Sequence, residues 1–211
     1  MQGVDNVIQF TLVLASGEYV TANQYKNADL FWALRGGGGG TFGVIVMATY
    51  RTYDILPCTL VNVNVSFASP EIAKKVVTEF VQLHPSLSDA GWGGYAGWSN
   101  TSMYNVYLAP NISVSDANAT ISPFLDNARN IVDNPQDIQI QVVPFDSFYE
   151  FYKIGYGAPG GSGELSEATS RLVSRQKVQE EPEMVAEMTL AVEGLFFLQV
   201  PNLQFCYPCL N

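Results

Sequence analysis

The sequence predicts an α+β fold, in which an antiparallel sheet carries helices on one face. Three observations predict it. Val61, Val63, Val65 and Phe67 alternate with asparagine and serine, the period-two pattern of a strand buried on one side. Ser69-Pro70-Glu71 and Ser122-Pro123 are helix starts, an N-cap followed by proline at the first helical position. From residue 58 onward such strands and amphipathic helices mix along the chain, as they do when helices segregate to one side of an antiparallel sheet.

In order along the chain, Ile8, Phe10, Leu12 and Leu14 alternate with Gln9 and Thr11 as a half-buried strand. Ser16-Gly17 turns it back into a second strand, Tyr19-Val-Thr-Ala22. Asn27 or Asp29 caps a short helix through Leu34, which five glycines, Gly36 to Gly40, must end. Val44 to Tyr50 is apolar and β-branched almost throughout, the composition of a strand buried on both faces. The pattern changes between Asp54 and Pro57, which places a domain boundary there, with residues 1–56 before it and 57–211 after. The strand Val61–Phe67 leads to a helix bearing Ile72, Val76, Phe80 and Leu83 on one face. Gly91–Trp98 and Ser102–Ala109 form a strand pair turning near Asn100-Thr101. A helix from Ser122-Pro123 through Val132 and an alternating strand, Ile138–Val142, follow. The segment 157–163 is glycine-rich loop, 172–174 a short strand, 182–193 a third helix, and 195–211 an apolar tail of no assigned period.

The chain has 211 residues, long enough to bury roughly 70% of the surface its unfolded form exposes. With 10 basic and 20 acidic side chains its net charge is −10, and no basic patch larger than Arg171, Arg175 and Lys177 exists, which argues against nucleic-acid binding. No apolar run reaches the roughly 18 residues of a membrane span, and the first residues lack the basic start and apolar middle of a signal peptide. Cys58, Cys206 and Cys209 are too few for a disulfide framework. Cys206 and Cys209 have CxxC spacing, but the lone histidine, His84, is distant, and no helix follows to activate a thiol. No metal site is expected. Asn64, Asn100, Asn111 and Asn118 each begin an N-glycosylation sequon, against about two expected by chance at this Ser and Thr content. That excess hints at a relative made in the secretory pathway.

Gly38-x-Gly40-x-x-Gly43 matches a dinucleotide fingerprint in letters only. Such a site needs strand, glycine turn, then helix, so that a helix N-terminus meets the pyrophosphate; here the order is helix, turn, strand. No lysine with Ser or Thr follows, so the run is not a phosphate-binding P-loop either. Consecutive glycines still let a backbone approach a flat or anionic ligand, and equally serve as a plain linker.

The block Asp29-Leu-Phe-Trp-Ala-Leu-Arg-Gly-Gly-Gly-Gly-Gly-Thr-Phe-Gly-Val-Ile-Val46, with the strand pair before it, closely resembles the signature of the berberine-bridge-enzyme-like oxidases. These are flavoproteins with a PCMH-type, or vanillyl-alcohol-oxidase-like, FAD-binding domain. Ser170-Arg171-Leu172-Val173 is a weaker echo of the same family's substrate domain. The resemblance implies the C-terminal piece of an FAD-binding domain followed by an incomplete substrate domain. It implies an oxidoreductase that removes hydride from a C–H beside a hydroxyl or amine of a sugar, alcohol or secondary metabolite, with molecular oxygen reoxidising the flavin. It assigns Gly39, Gly40, Thr41, Gly43 and Val44 to the flavin pocket, with Thr41 and Phe42 fixing the turn. Tyr95, Tyr104, Tyr107 and Arg171 are the groups expected to face substrate, although aromatics on a sheet are more often core. His84 reads as a helix-terminal histidine beside Pro85.

The family's pyrophosphate loops and its flavin-linking histidine precede the glycine signature, and a segment often carrying the catalytic group follows the substrate domain. Neither is recognisable here, so the resemblance implies a fragment. The alternative is a vestigial chain that holds no flavin alone.

Overall fold

Strand β4 (Cys58–Ser66) lies inside the larger sheet, with a strand on each edge and one face buried, as its side-chain alternation requires. The computed structural model describes residues 3–38, 40–155, 172–191 and 195–198. Residues up to Asp54 form one compact unit, and those from Ile55 a second.

In the second unit, β4 pairs with β6 (Ser102–Pro110) on one side and β7 (Ile138–Phe145) on the other. With β5 (Gly93–Trp98) and β8 (Leu195–Leu198) the order is β7-β4-β6-β5-β8, every pair antiparallel. Val61, Val63 and Val65 stand opposite Tyr107, Asn105 and Met103, and this face is fully buried beneath helices. Helix α2 (Pro70–Asp89) starts at Ser69, whose Oγ accepts from the Ile72 N–H, and lays Val76, Phe80 and Leu83 onto the sheet side. Helix α3 (Val114–Ile131) contributes Ile121, Phe124 and Ala128 to the same core. Short α5 (Arg175–Glu180) and α6 (Pro182–Leu190) add Val178, Val185 and Leu190. Arg175 grips both oxygens of Asp89 at 2.6 Å, joining the start of α5 to the end of α2. Helix α4 (Phe148–Gly155) returns after β7, and its Phe151 meets the Phe145 ring at 5.7 Å between centroids.

In the first unit, β1 (Val7–Val13) lies between β2 (Tyr19–Asn23) and β3 (Val44–Tyr50) in an antiparallel sheet. Helix α1 (Ala28–Gly36) packs Phe31 and Leu34 against Phe10, Leu12 and Ala22. Asn27 holds the cap position but donates from Nδ2 to the Thr21 carbonyl, so it ties the helix entry to β2 instead of capping the helix.

Several sequence expectations are corrected. Strand β3 is exposed on both faces over Val44–Met47, because it is the edge strand and α1 packs over its neighbours. Ile8 is exposed because a register shift between Val7 and Gln9 puts Val7, in its place, into the core. Helix α3 begins two turns before Ser122-Pro123: Ser113 supplies the N-cap, its Oγ accepting from the Asp116 N–H, and exposed Pro123 is accommodated inside the helix. Residues 172–174 are not a strand but the approach to α5, which Ser174 caps. The predicted helix at 182–193 ends at Leu190.

Candidate functional site

Two surfaces carry the residues that the sequence singles out, one in each unit. The first is the turn between α1 and β3. Gly37 closes the helix by donating to the Ala33 carbonyl at 2.8 Å. A Cβ there would come within 2.5 Å of the Phe42 ring and 2.9 Å of Thr41 Oγ1, so this glycine is required by packing. Gly38 and Gly40 adopt φ of +79° and +76°, and a Cβ at either would meet nothing within 4 Å. Thr41 Oγ1 donates to the Gly38 carbonyl at 2.9 Å, and Phe42 itself has φ of +59°, so both residues shape the turn. At Gly43 a Cβ would approach the Val13 carbonyl oxygen to 2.6 Å; the glycine lets the chain enter β3 directly against β1. Gly39 lies outside the described residues.

The resulting surface is bare backbone at Gly38 and Gly40 followed by the exposed apolar side chains of Val44 and Val46. Open backbone in left-handed conformation beside an apolar strand suits one edge of a flat, partly anionic cofactor. The turn follows the C-terminus of α1, so no helix N-terminus points at it, and a Rossmann-type pyrophosphate site is excluded at this turn.

The second surface is the face of the large sheet turned away from the core helices. Register aligns Gln139, Asn64, Tyr104 and Gly97 in one row across four strands. The neighbouring row is Gln141, Asn62, Val106 and Tyr95. Tyr104 is 40% exposed, and its ring lies over Gly97, where a Cβ would come 2.7 Å from Cε1 and 3.0 Å from the hydroxyl. Asn64 Nδ2 donates to Asn62 Oδ1 at 2.9 Å. Tyr95 is half-buried in the same row as Asn62.

Tyr107 stands apart from Tyr95 and Tyr104. It is fully buried on the helix side, its ring stacked on Phe80 with centroids 5.9 Å apart, so its phenol faces the core and not the open sheet. Its hydroxyl donates to Nε2 of His84 at 2.7 Å, while His84 Nδ1 donates to the Phe80 carbonyl at 2.8 Å. A carbonyl can only accept, which assigns the proton to Nδ1 and leaves Nε2 as acceptor. Desolvation lowers the imidazole pKa to about 4, against the opposing pull of the Phe80 and Val81 backbone, and burial pushes the Tyr107 phenol well above its ordinary value. His84 is therefore a neutral core residue within α2, five residues before the helix ends, and not a terminal one. Asn105, also fully buried, donates from Nδ2 to the Val61 carbonyl and accepts from the Val63 N–H, clamping β6 to β4.

Of the remaining expected residues, Arg171, Cys206 and Cys209 lie outside the described residues. Cys58 is buried, and desolvation raises its thiol pKa to about 11, which keeps it inert. Asn64, Asn100, Asn111 and Asn118 are all exposed, Asn64 on the open sheet face, Asn100 at the β5–β6 turn, Asn111 just before α3 and Asn118 on that helix. No group of three potential metal ligands occurs among the described residues. Nor is any described helix long and apolar enough to cross a membrane. Sequence reasoning missed the four open-face amides: the alternation in Asn-Val-Asn and Gln-Ile-Gln marks them as one face, but only strand register brings them together.

No protein-family model matches the sequence. An uncharacterized FAD-linked oxidoreductase of Arthroderma benhamiae is 34% identical over 215 residues, spanning 92% of this chain and 35% of the relative. The FAD-linked oxidoreductase apf9 of Gibberella fujikuroi is 30% identical over 194 residues, 84% of this chain and 33% of the relative. Among solved structures, the VAO-type flavoprotein MtVAO615 of Myceliophthora thermophila superposes with a TM-score of 0.63 at 26% identity, covering 90% of this chain and 35% of its own. The fold is shared as well with a berberine-bridge-enzyme-like protein of Physcomitrella patens, at a TM-score of 0.56 and 19% identity. The chain spans about a third of the length of the relatives it matches. In sequence the chain belongs with the FAD-linked oxidoreductases, and its fold is that of the VAO-type flavoproteins.

Proposed function

We propose that this chain contributes to an FAD-dependent oxidoreductase, its first unit forming the C-terminal part of the flavin-binding domain and its second unit part of the substrate domain. The observation that carries this reading is the turn at Gly37–Gly43, whose open backbone runs directly into an exposed apolar strand. Gly39, Gly40, Thr41, Gly43 and Val44 are the residues that would hold the cofactor there. FAD, when bound, supplies the hydride acceptor, and molecular oxygen is the terminal oxidant the family suggests. The chain's own share is positional. Thr41 pins the turn through Gly38, the glycines would keep side chains off the cofactor, and Val44 and Val46 would offer it an apolar surface that excludes water. Tyr95 and Tyr104, together on the open sheet face, are the groups that would meet a small-molecule substrate; buried Tyr107 supports that sheet from behind.

The reading is tested by the visible spectrum of the purified chain after incubation with FAD and removal of free ligand. A retained flavin band supports it, and loss of the band in Gly40→Val would locate the cofactor at this turn. A colourless protein would show that this chain alone holds no flavin, the vestigial alternative.

A secretory origin is the corresponding proposal for the four exposed sequons. Glycopeptide mass spectrometry after expression in a secretory host tests it: glycan on Asn100, Asn111 or Asn118 supports it, and bare asparagine at all four sequons speaks against it.

A further inference from the structure

The backbone ladder of α2 is interrupted one turn before the helix ends. Pro85 has no N–H, so the Val81 carbonyl loses the donor that any other residue would bring it. His84 makes good that loss from its side chain: the imidazole that donates to the Phe80 carbonyl at 2.8 Å also bonds the Val81 backbone. Its other nitrogen is held by the Tyr107 hydroxyl at 2.7 Å. Residues 86–89 are thus tied to the rest of the helix through a neutral imidazole, where a peptide N–H would ordinarily serve. From that last turn the Ser86 carbonyl accepts from the Ala90 N–H, and the Leu87 carbonyl from the Trp92 N–H, each at 3.0 Å. Asp89 on the same turn carries Arg175 at the start of α5.

From this juxtaposition we infer that His84, Pro85 and Tyr107 form an acid-released latch, which on protonation of the imidazole frees the last turn of α2 while the sheet and the earlier part of the helix stay folded.

The hydrogen bonds dictate the direction of the switch. Protonation turns Nε2 from acceptor to donor and sets it against the phenol O–H, so two donors face each other. The phenol cannot yield its own proton instead, because burial holds its pKa well above the ordinary value. No carboxylate stands by to pair with an imidazolium. Neither β5 nor β6 carries a charged side chain, and Tyr95 and Tyr104 lie on the other face of the sheet. No Asp, Glu, Lys or Arg is buried among the described residues; on the surrounding helices Glu79, Asp126, Arg175 and Glu187 all reach the surface. Tyr107 is therefore the titratable group that faces the imidazole. A charged ring at this position would be desolvated and unpaired, so it must leave the core to keep its proton. Pro85 lets it leave locally, since no backbone N–H ties that position to Val81. The earlier part of α2 is anchored separately, by the Ser69 cap and by fully buried Val76, Val77 and Phe80.

The pH window separates the histidine from the neighbouring ion pair. Burial lowers the imidazole from 6.5 to about 4, so the latch holds fully above 6.5 and weakens as pH falls toward 4. Arg175 holds the Asp89 carboxyl below its ordinary value of 3.8, so that pair contributes above 3.8 and is lost only at lower pH.

The test is native-state hydrogen exchange of the full chain at pH 7.5 and 4.5, with each rate corrected for the intrinsic effect of pH. The Ala90 and Trp92 amides are expected to lose protection by on the order of 50-fold at the lower pH. Low urea should leave their exchange unchanged, because a local opening exposes little surface, while Val76 and Val77 exchange through a urea-sensitive unfolding. Pro85→Ala, which restores a donor to Val81, should raise the protection of Ala90 and Trp92 at pH 4.5 by about tenfold. His84→Gln should abolish the difference between the two pH values, and Asp89→Asn should lower protection equally at both. Ala90 and Trp92 exchanging with the urea dependence of Val76 and Val77, or protected equally at both pH values, would overturn the inference. So would exchange unaltered by Pro85→Ala, a variant that removes a helix-breaking residue and keeps the test open should His84→Gln fail to fold.

Discussion

The His84–Tyr107 pair shows how one buried polar contact is made tolerable in an apolar core. Phe80 flanks both rings, His84 edge-on and Tyr107 stacked, so neither polar group reaches water. Each polar atom instead has a partner, Nδ1–H to the Phe80 carbonyl and the phenol O–H to Nε2. The consequence is pH-dependent. An unfolded imidazole titrates near 6.5 and the buried one near 4, so between these values the unfolded chain binds more protons. Stability is full above the unfolded value and falls as pH drops toward 4, by on the order of 3 kcal/mol. Urea melts at pH 7.5 and 4.5 should show this, and His84→Gln, less stable at pH 7.5, should lose most of the slope. An unaltered slope in that variant would refute the assignment. Gly94 and Gly97 give a second residue-scale contrast. A Cβ at Gly94 would meet the Val106 carbonyl oxygen at 2.1 Å with φ at +152°, so Gly94→Ala is expected to cost about 3 kcal/mol or more. At Gly97 the obstacle is the end of the Tyr104 ring, which can swing away, so Gly97→Ala should cost about 1 kcal/mol and shift the Tyr104 ring signals in the proton spectrum.

At the scale of elements, β3 is the exception to an otherwise ordinary pattern. Its residues Val-Ile-Val-Met-Ala-Thr-Tyr contain no charge and no proline, and its outer edge carries no strand among the described residues. An uncharged apolar edge strand is a template for pairing with other chains. Light scattering is therefore expected to rise with concentration, and Val46→Lys, on an exposed position, should suppress the rise while changing stability by no more than about 0.5 kcal/mol. A monodisperse wild-type chain at high concentration would contradict this. The same strand marks the limit of what local sequence reveals. Apolar continuity reads as burial on both sides, but burial also requires a neighbour, and α1 lies over β1 and β2. Helix α3 was legible only in its second half, because Ser122-Pro123 imitates a start that Ser113 had already made.

For the whole molecule, the two units differ in the cores that hold them. Among the described residues, the first has six buried apolar residues, Val7, Phe10, Leu12, Ala22, Phe31 and Leu34. The second has a continuous core from sheet through four helices, including Trp92, Phe80 and Tyr107. A small core offsets less chain entropy, so the first unit should unfold at lower denaturant. Tryptophan placement makes this measurable: Trp32 lies in the first unit, Trp92 and Trp98 in the second. Fluorescence of Trp32→Phe should report only the later transition, while circular dichroism reports both. Coincident transitions by both probes would mean that the units unfold as one.

The sequence by itself determined the α+β class, the antiparallel alternation of β4 and β7, the start of α2, and the order of helix, glycine turn and strand that excludes a Rossmann site. These are local matters: a period, a cap or a turn is written in neighbouring residues. It also carried the family resemblance, through one unbroken block from Asp29 to Val46. Only the tertiary structure decided which tyrosine faces outward, since Tyr104 and Tyr107 lie on one strand and an odd step in sequence separates opposite faces. Register across four strands gathered the amides of Asn62, Asn64, Gln139 and Gln141, and packing paired His84 with a tyrosine 23 residues away. Such contacts join segments distant in the chain, and no local pattern encodes their partner.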